Sequence, residues 1–250
     1  MIHRGRHRYR SHAGIPHGST NNLTNKLAFY FQQGVGIGVE EGAVNNWADR
    51  SSNGNDLSQT TAENCAALVD GGLDFESGEG DHYDLDSQVA ISSQEGFVIF
   101  LVYKPESVGS NATILGLNAV THFLEFQAGG DNIRIKLGAG SQSGDVPLAT
   151  IAPSSSNLFH NSAGKFLLTL QREAGSTGNL NLWRNGKVVH TSTQHANPGD
   201  AEFITLGTRN ADRYIDGVVY DIAMIEAGAD SDRAIERINA YLSSKHGLIE

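Results

Sequence analysis

The feature that most constrains this chain is a run of seven apolar residues, Phe97–Tyr103 (FVIFLVY), bounded by Gly96 and Pro105. It is far shorter than the ~20 residues a membrane-spanning helix needs. Its β-branched and aromatic content reads as a strand. Successive strand residues point to opposite faces, so an unbroken apolar run predicts burial on both sides, as at the centre of a sandwich. Other segments alternate with period two, among them Phe123–Gln127 (FLEFQ) and Ile133–Leu137 (IRIKL), joined by a hairpin at Gly129–Asn132. Leu27–Phe31, Ala43–Trp47, Leu73–Phe75, Tyr83–Leu85, Thr113–Leu117, Phe166–Arg172, Phe203–Leu206 and Val218–Ile225 read as further strands. Leu180–Arg184 and Lys187–His190 flank Asn185-Gly186, a dipeptide that suits the left-handed backbone of a two-residue hairpin. Gly138–Asn161 is polar and Ser-rich and reads as a long surface excursion, with room for short edge strands inside it. The total is about a dozen strands, the pattern of an all-β sandwich or barrel.

The period changes near the C-terminus. Ala234, Ile235, Ile238, Tyr241 and Leu242 recur at helical spacing. Asp230 or Ser231 can cap the helix, Asp232 suits its first turn, and Gly247 stops it after Lys245 and His246. One amphipathic helix over about residues 231–245 is expected to lie on a sheet. Gly is abundant, 29 of 250 residues, as a fold with many tight turns requires. The single Cys65 excludes an internal disulfide framework and a Cys-based zinc site, and reads as a small buried residue.

Charge divides the chain in two. Residues 1–26 hold Arg4, Arg6, Arg8, Arg10 and Lys26 and no acid, together with His3, His7, His12 and His17. The other 224 residues hold 13 basic and 28 acidic side chains, a net charge of −15. The first segment shows no strand or helix periodicity and reads as an extended arm. Its readings are a solvated tail, a nucleic-acid-binding arm, and an anchor for an acidic protein. The acidic body disfavours nucleic acid, and the anchor is preferred. Arg4, Arg6, Arg8, Tyr9 and Arg10 are its contact residues, because Arg pairs with carboxylates in bidentate fashion. The N-terminus lacks the apolar core of a secretory signal, so export by that route is not expected.

A set of segments in fixed order resembles the concanavalin A-like lectin/glucanase (LamG-like) jelly rolls. They are Trp47-Ala48-Asp49-Arg50-Ser51-Ser52-Asn53-Gly54-Asn55-Asp56-Leu57, Gly72-Leu73-Asp74-Phe75, Phe97–Tyr103, Leu182-Trp183-Arg184-Asn185-Gly186, Ile204-Thr205-Leu206-Gly207, Asp216–Ile222 and Ile238–Leu242 with Gly247-Leu248. The resemblance covers residues 27–250 and implies a jelly-roll sandwich of two antiparallel sheets. It also implies similarity to phage and marine bacterial proteins, the phage ones being virion components. In that superfamily the glucanases carry alternating carboxylates on one strand. Here Tyr220 stands where a carboxylate is needed, and Asp221 and Glu226, five apart, face opposite sides.

Six acids, Asp74, Glu76, Glu79, Asp81, Asp84 and Asp86, lie within 13 residues. Oxygen ligands of this kind suit Ca²⁺, though the spacing matches no defined calcium loop. Asp74, Glu76, Asp81 and Asp84 are the calcium candidates, and no other cofactor is expected. Sugar sites use exposed aromatic platforms with polar neighbours, and Tyr83, His122, Trp183 and Tyr214 are the carbohydrate candidates.

The resulting expectation is a non-enzymatic phage virion protein, a capsid decoration or cement protein. It would assemble in the host cytoplasm and sit on the outer surface of the particle. Its arm would grip the major capsid protein or another virion protein, and its body would be a homo-oligomer, most simply a trimer. The alternative is a carbohydrate-binding module that meets surface glycans, as a receptor-binding appendage or a lectin. A glycoside hydrolase is the remote third reading. Neither nucleic acid nor membrane is an expected partner.

Overall fold

The computed structural model describes residues 27–107, 111–117, 119–127, 132–137, 143–147, 164–174, 179–192, 200–227 and 231–248. The basic arm, residues 1–26, with its contact candidates Arg4, Arg6, Arg8, Tyr9 and Arg10, lies outside them, as do the Gly129–Asn132 turn up to residue 131, most of the polar stretch 138–161, and Asp230.

In chain order the strands begin with β1 (Leu27–Phe31), β2 (Ile37–Glu40), β3 (Ala43–Trp47), β4 (Leu57–Ser58), β5 (Ala67–Val69), β6 (Gly72–Phe75), β7 (Tyr83–Ile91) and β8 (Gly96–Pro105). They continue with β9 (Ala112–Leu117), β10 (Ala119–Phe126), β11 (Asn132–Lys136), β12 (Ser143–Pro147), β13 (Phe166–Arg172), β14 (Leu180–Arg184), β15 (Lys187–Ser192), β16 (Ala201–Leu206) and β17 (Gly217–Ala227). A helix, α1 (Ser231–His246), follows. One sheet runs β15-β14-β13-β8-β17-β6-β5, and β1 pairs with the part of β17 that β6 leaves open. The other runs β12-β11-β10-β9-β16-β7-β4-β3-β2. Every strand pair is antiparallel among the described residues. The architecture is the expected two-sheet sandwich with one C-terminal helix.

The apolar run becomes β8, central in its sheet between β13 and β17. Phe97, Ile99, Leu101 and Tyr103 point into the core between the sheets, while Val98, Phe100 and Val102 join a second core on the outer face. Helix α1 covers that face with Ala234, Ile235, Ile238 and Leu242. Each large apolar side chain so buried contributes about 1.5–3 kcal/mol. The Asn185-Gly186 turn adopts φ of 50° and 80°, as a two-residue hairpin between β14 and β15 requires. The strands beyond the expected dozen are short or marginal pieces, β2, β4, β5 and β12. Their pairing comes from neighbours rather than from any pattern of their own.

A polar anchor fixes the helix. The β17 ladder skips Tyr220, with Val219 opposite Tyr103 and Asp221 opposite Val102. That bulge turns both Tyr220 and Asp221 towards the helix layer. Asp221 is fully buried. Its carboxylate accepts from Lys245 Nζ at 2.8 and 2.9 Å and from Tyr30 Oη at 3.1 Å, and lies 2.5 Å from His246 Nε2. One acid thus ties β1, β17 and the last turn of α1 together. Burial first, and Asp221 next, push the Tyr30 phenol far above its ordinary range, so it stays a hydrogen-bond donor. A second tie joins Thr169 Oγ1 to Asn239 Oδ1 at 2.5 Å.

Removing a single partner from a buried ion pair leaves an uncompensated charge and costs about 3–5 kcal/mol. Asp221→Ala is therefore expected to lower stability by about that amount in urea unfolding. A loss below about 1 kcal/mol would mean that apolar packing alone holds the helix.

Candidate functional site

The Trp47–Leu57 segment is a self-bonded loop. Asp49 Oδ1 accepts from the backbone N–H of Tyr30 and of Ser51, both at 2.8 Å. Its Oδ2 accepts from Ser51 Oγ at 2.5 Å and from the N–H of Asn55 at 3.0 Å. Asn53 Nδ2 donates to the Leu27 carbonyl at 2.8 Å, and the Asn55 amide brackets Ser87 N and O at 2.7 and 2.9 Å. Trp47 is fully buried, with Nε1 donating to the carbonyls of Gln32 and Val35. These side chains hold β1 and β7 in place and leave the ligand question to other residues.

Beside this loop, at the β2–β3 edge, is a half-open pocket of about 670 Å³. The Glu40 and Glu41 carboxylates and the Asn45, Asn46 and Gln59 amides line it. Thr60 and Cys65 complete its polar lining. Asn45 Nδ2 donates to Glu40 Oε2 at 2.9 Å, which orients both groups. Gln59 is buried and fixed, donating to the His82 carbonyl at 2.9 Å and accepting from Thr61 N–H at 2.9 Å. Cys65 departs from expectation: it is only partly buried and faces the pocket. Burial, then the Asp81 carboxylate, push its thiol up, and Sγ points at the Thr61 carbonyl, 3.4 Å away. A protonated thiol is a poor nucleophile.

Gln59 also links the pocket to an aromatic pair. Its Nε2 lies 3.3 Å from His82 Nε2, and the His82 and Tyr214 rings sit 5.9 Å apart at 47°. Both rings are half-buried and leave part of their surface to solvent. Tyr214 is thus the sugar candidate linked, through His82 and Gln59, to the wall of the pocket. Tyr83 is fully buried between the sheets, its hydroxyl donating to the Val44 carbonyl, so the expectation of an exposed platform is corrected. Alternation along β7 puts Tyr83 and Leu85 inward and Asp84 outward. His122 is 8 % exposed and sits against Thr121, which corrects it likewise. Trp183 packs against the core beneath α1, on a different layer.

The acidic segment folds into a turn stapled by Asp81, which is 1 % exposed and accepts from the Glu76 N–H at 2.8 Å. Asp74, Glu76 and Glu106 each bring an oxygen within 4.8 Å of the others. Glu106, just past the end of β8, is not among the calcium candidates, and the candidates Asp81 and Asp84 are not part of the group. Asp216 completes the surroundings, accepting from Ser77 Oγ at 2.6 Å, and Lys104 lies 3.3 Å from Glu106. Burial first, then Glu106, raise the Asp74 carboxyl, with Lys104 opposing. Burial likewise raises Glu76 and Asp81. Oxygen donors of this type are those Ca²⁺ accepts.

Sequence reading missed a buried ion cluster on β10. Glu125 is fully buried, with Arg209 Nε at 3.2 Å and Arg134 at 3.8 Å. The Arg209 guanidinium lies 3.9 Å from the Phe123 ring centre. Its partners come from separate strands and a loop, so no local spacing announces it.

No protein-family profile and no curated protein matches this sequence. Solved structures do resemble its fold. The botulinum neurotoxin serotype D binding domain is 15% identical with a TM-score of 0.59, over 89% of this chain and 52% of that one. The binding domain of Paraclostridial Mosquitocidal Protein 1 is 16% identical with a TM-score of 0.56, over 87% and 52%. Domain 4 of AbnA, a GH43 extracellular arabinanase from Geobacillus stearothermophilus, in complex with arabinotriose, is 14% identical with a TM-score of 0.54, over 85% and 98%. The chain thus spans about half the length of the toxin binding domains and nearly all of the AbnA domain. At these identities the likeness is one of fold; the structures named are two toxin-type binding domains and one domain of an arabinanase.

The acid cluster has a pH signature. A carboxyl whose pKa is raised by folding takes up protons on folding, so its favourable contribution is complete below the ordinary carboxylate range, near pH 4, and is lost as pH rises through the raised value. Asp74→Asn removes that handicap at neutral pH. It is expected to stabilise the protein by about 0.5 kcal/mol at pH 7, allowing for solvent screening, and to lose the gain below about pH 4. Urea unfolding of both proteins at the two pH values measures it.

Proposed function

We propose that this chain is a non-catalytic carbohydrate-binding module of the β-sandwich type. The observation that carries the reading is the half-open, polar pocket, whose lining residue Gln59 is bonded to His82 of the His82–Tyr214 ring pair. Sugar hydroxyls need donors and acceptors in close array, and sugar faces need a ring to lie against. Domain 4 of AbnA, similar in fold and nearly fully covered by this chain, has a structure in complex with arabinotriose, which supports this ligand class.

Binding fits better than hydrolysis. A glycoside hydrolase needs two carboxyl groups flanking the scissile bond, one of them kept protonated by its surroundings. Glu40 and Glu41 are exposed, while Asp221 is sealed under α1 in ion pairs. On a glycan array the full chain is expected to bind a defined set of oligosaccharides and to release no reducing ends from them. Tyr214→Ala is expected to weaken that binding about fivefold, the scale of one aromatic contact. An array without any bound glycan would sink the reading.

The charge division supports a second role for the same chain, as a decoration protein on the outside of a phage particle. Residues 1–26 carry +5 and the rest −15, so the arm is attracted to acidic protein surfaces while the body stays apart from them. Deleting Met1–Lys26 is then expected to leave the thermal midpoint unchanged and abolish particle attachment. Occupancy at the full-length level by the truncated protein would overturn this role.

A further inference from the structure

The side chains lining the pocket also set the charge of the sugar it accepts. We propose that the pocket between the β2–β3 edge and Gln59–Cys65 takes an uncharged oligosaccharide unit and discriminates against glycans that carry a carboxylate or sulfate, an inference that rests on the carbohydrate-binding reading.

The hydrogen-bond inventory is lopsided. Glu40 and Glu41 offer only acceptors, and Asn45 Nδ2 is already engaged by Glu40. Asn46 Nδ2 is engaged by the Leu57 carbonyl at 3.2 Å, and Gln59 Nε2 by His82. Asn45 and Asn46 each keep a second N–H, and Thr60 offers a hydroxyl, but the charged groups that face the pocket are carboxylates, which only receive hydrogen bonds. Neutral sugars supply donors at every hydroxyl. An anionic group supplies acceptors and a like charge. No Lys, Arg or His is among the lining residues to compensate it. A unit bound there lies well inside the Debye length of about 8 Å, so bulk salt screens the repulsion only in part. The surrounding body adds to the effect, since residues 27–250 carry −15.

The test uses the full chain and matched probes: arabinotriose, galactotriose with trigalacturonate, and lactose with sialyllactose, titrated by calorimetry. The neutral member of each pair is expected to bind at least about tenfold tighter at low salt, which is about 1.4 kcal/mol. The gap should narrow at about 0.5 M salt, where the Debye length is shorter, and in the Glu40→Gln/Glu41→Gln double variant. Thr60 is exposed, so Thr60→Trp fills the pocket without disturbing the core, and it should weaken neutral binding at least about tenfold. A bound neutral sugar should also slow maleimide labelling of Cys65, the chain's one thiol. Equal or tighter binding of the anionic members overturns the proposal. Neutral binding with Thr60→Trp and Cys65 labelling both unaffected overturns the pocket assignment and leaves the carbohydrate reading standing. Absence of binding to every probe and to the wider glycan array overturns both together.

Discussion

The fold depends on one buried carboxylate. Asp221 sits on the outer face of the sheet that holds β8, where water cannot reach it, and needs Lys245, His246 and Tyr30 to be tolerable there. The bulge at Tyr220 is what aims it at the helix. With the anchor in place, α1 closes over Val98, Phe100 and Val102, and the most apolar strand of the chain is covered on both faces. Without it, the helix would have only its modest apolar stripe to hold it, and the sheet would expose a patch that invites aggregation. The helix covers the centre of that outer face, over β8 and β13, and leaves β5 and Val188 of β15 exposed towards its edges.

Much of the architecture was legible in the sequence because it is local or nearly so. FVIFLVY required two covers, and it received the second sheet and the helix. Asn185-Gly186 fixed a hairpin through backbone conformation alone. The helix followed from Ala234, Ile235, Ile238 and Leu242, with Gly247 at φ 66° ending it. Lys245 and His246 were readable as complements to the helix dipole, but not as partners of a carboxylate more than twenty residues earlier in the chain. Short strands such as β5, whose three residues are all exposed, carry no pattern that distinguishes them from a loop.

The candidate site was less legible, and the reason is physical. Its pocket takes residues from β2, the turn after it, β3 and the Gln59–Cys65 stretch, and its aromatic side adds His82 and Tyr214 from two further loops. Amides and hydroxyls in loops look alike whether they bind a ligand or brace a turn. Tyr83 shows the hazard from the other side: an aromatic flanked by polar residues reads as a platform, but strand alternation buries it and gives its hydroxyl to Val44. In the acid segment the sequence exposed the cluster but not its membership, because Glu106 arrives from the end of β8 and Asp84 leaves by alternation.

The accounting of polar groups separates scaffold from site. Asp49, Asn53, Asn55 and Asp56 make up much of the family-like signature, and each is bonded to backbone that it holds in place. Gly207 is another such residue, since at φ 93° any Cβ would lie 2.8 Å from the Phe75 ring. This is why the resemblance speaks strongly about fold and little about ligand: the recurrent residues are already occupied by the protein itself. What is left for a ligand is the hydrogen-bonding capacity of side chains that the fold does not consume. At the β2–β3 edge that capacity lies in the carboxylates of Glu40 and Glu41, the hydroxyl of Thr60 and the second N–H of the Asn45 and Asn46 amides. A body that carries −15 and sets two carboxylates at this pocket repels anionic ligands there, whatever neutral ligand it takes.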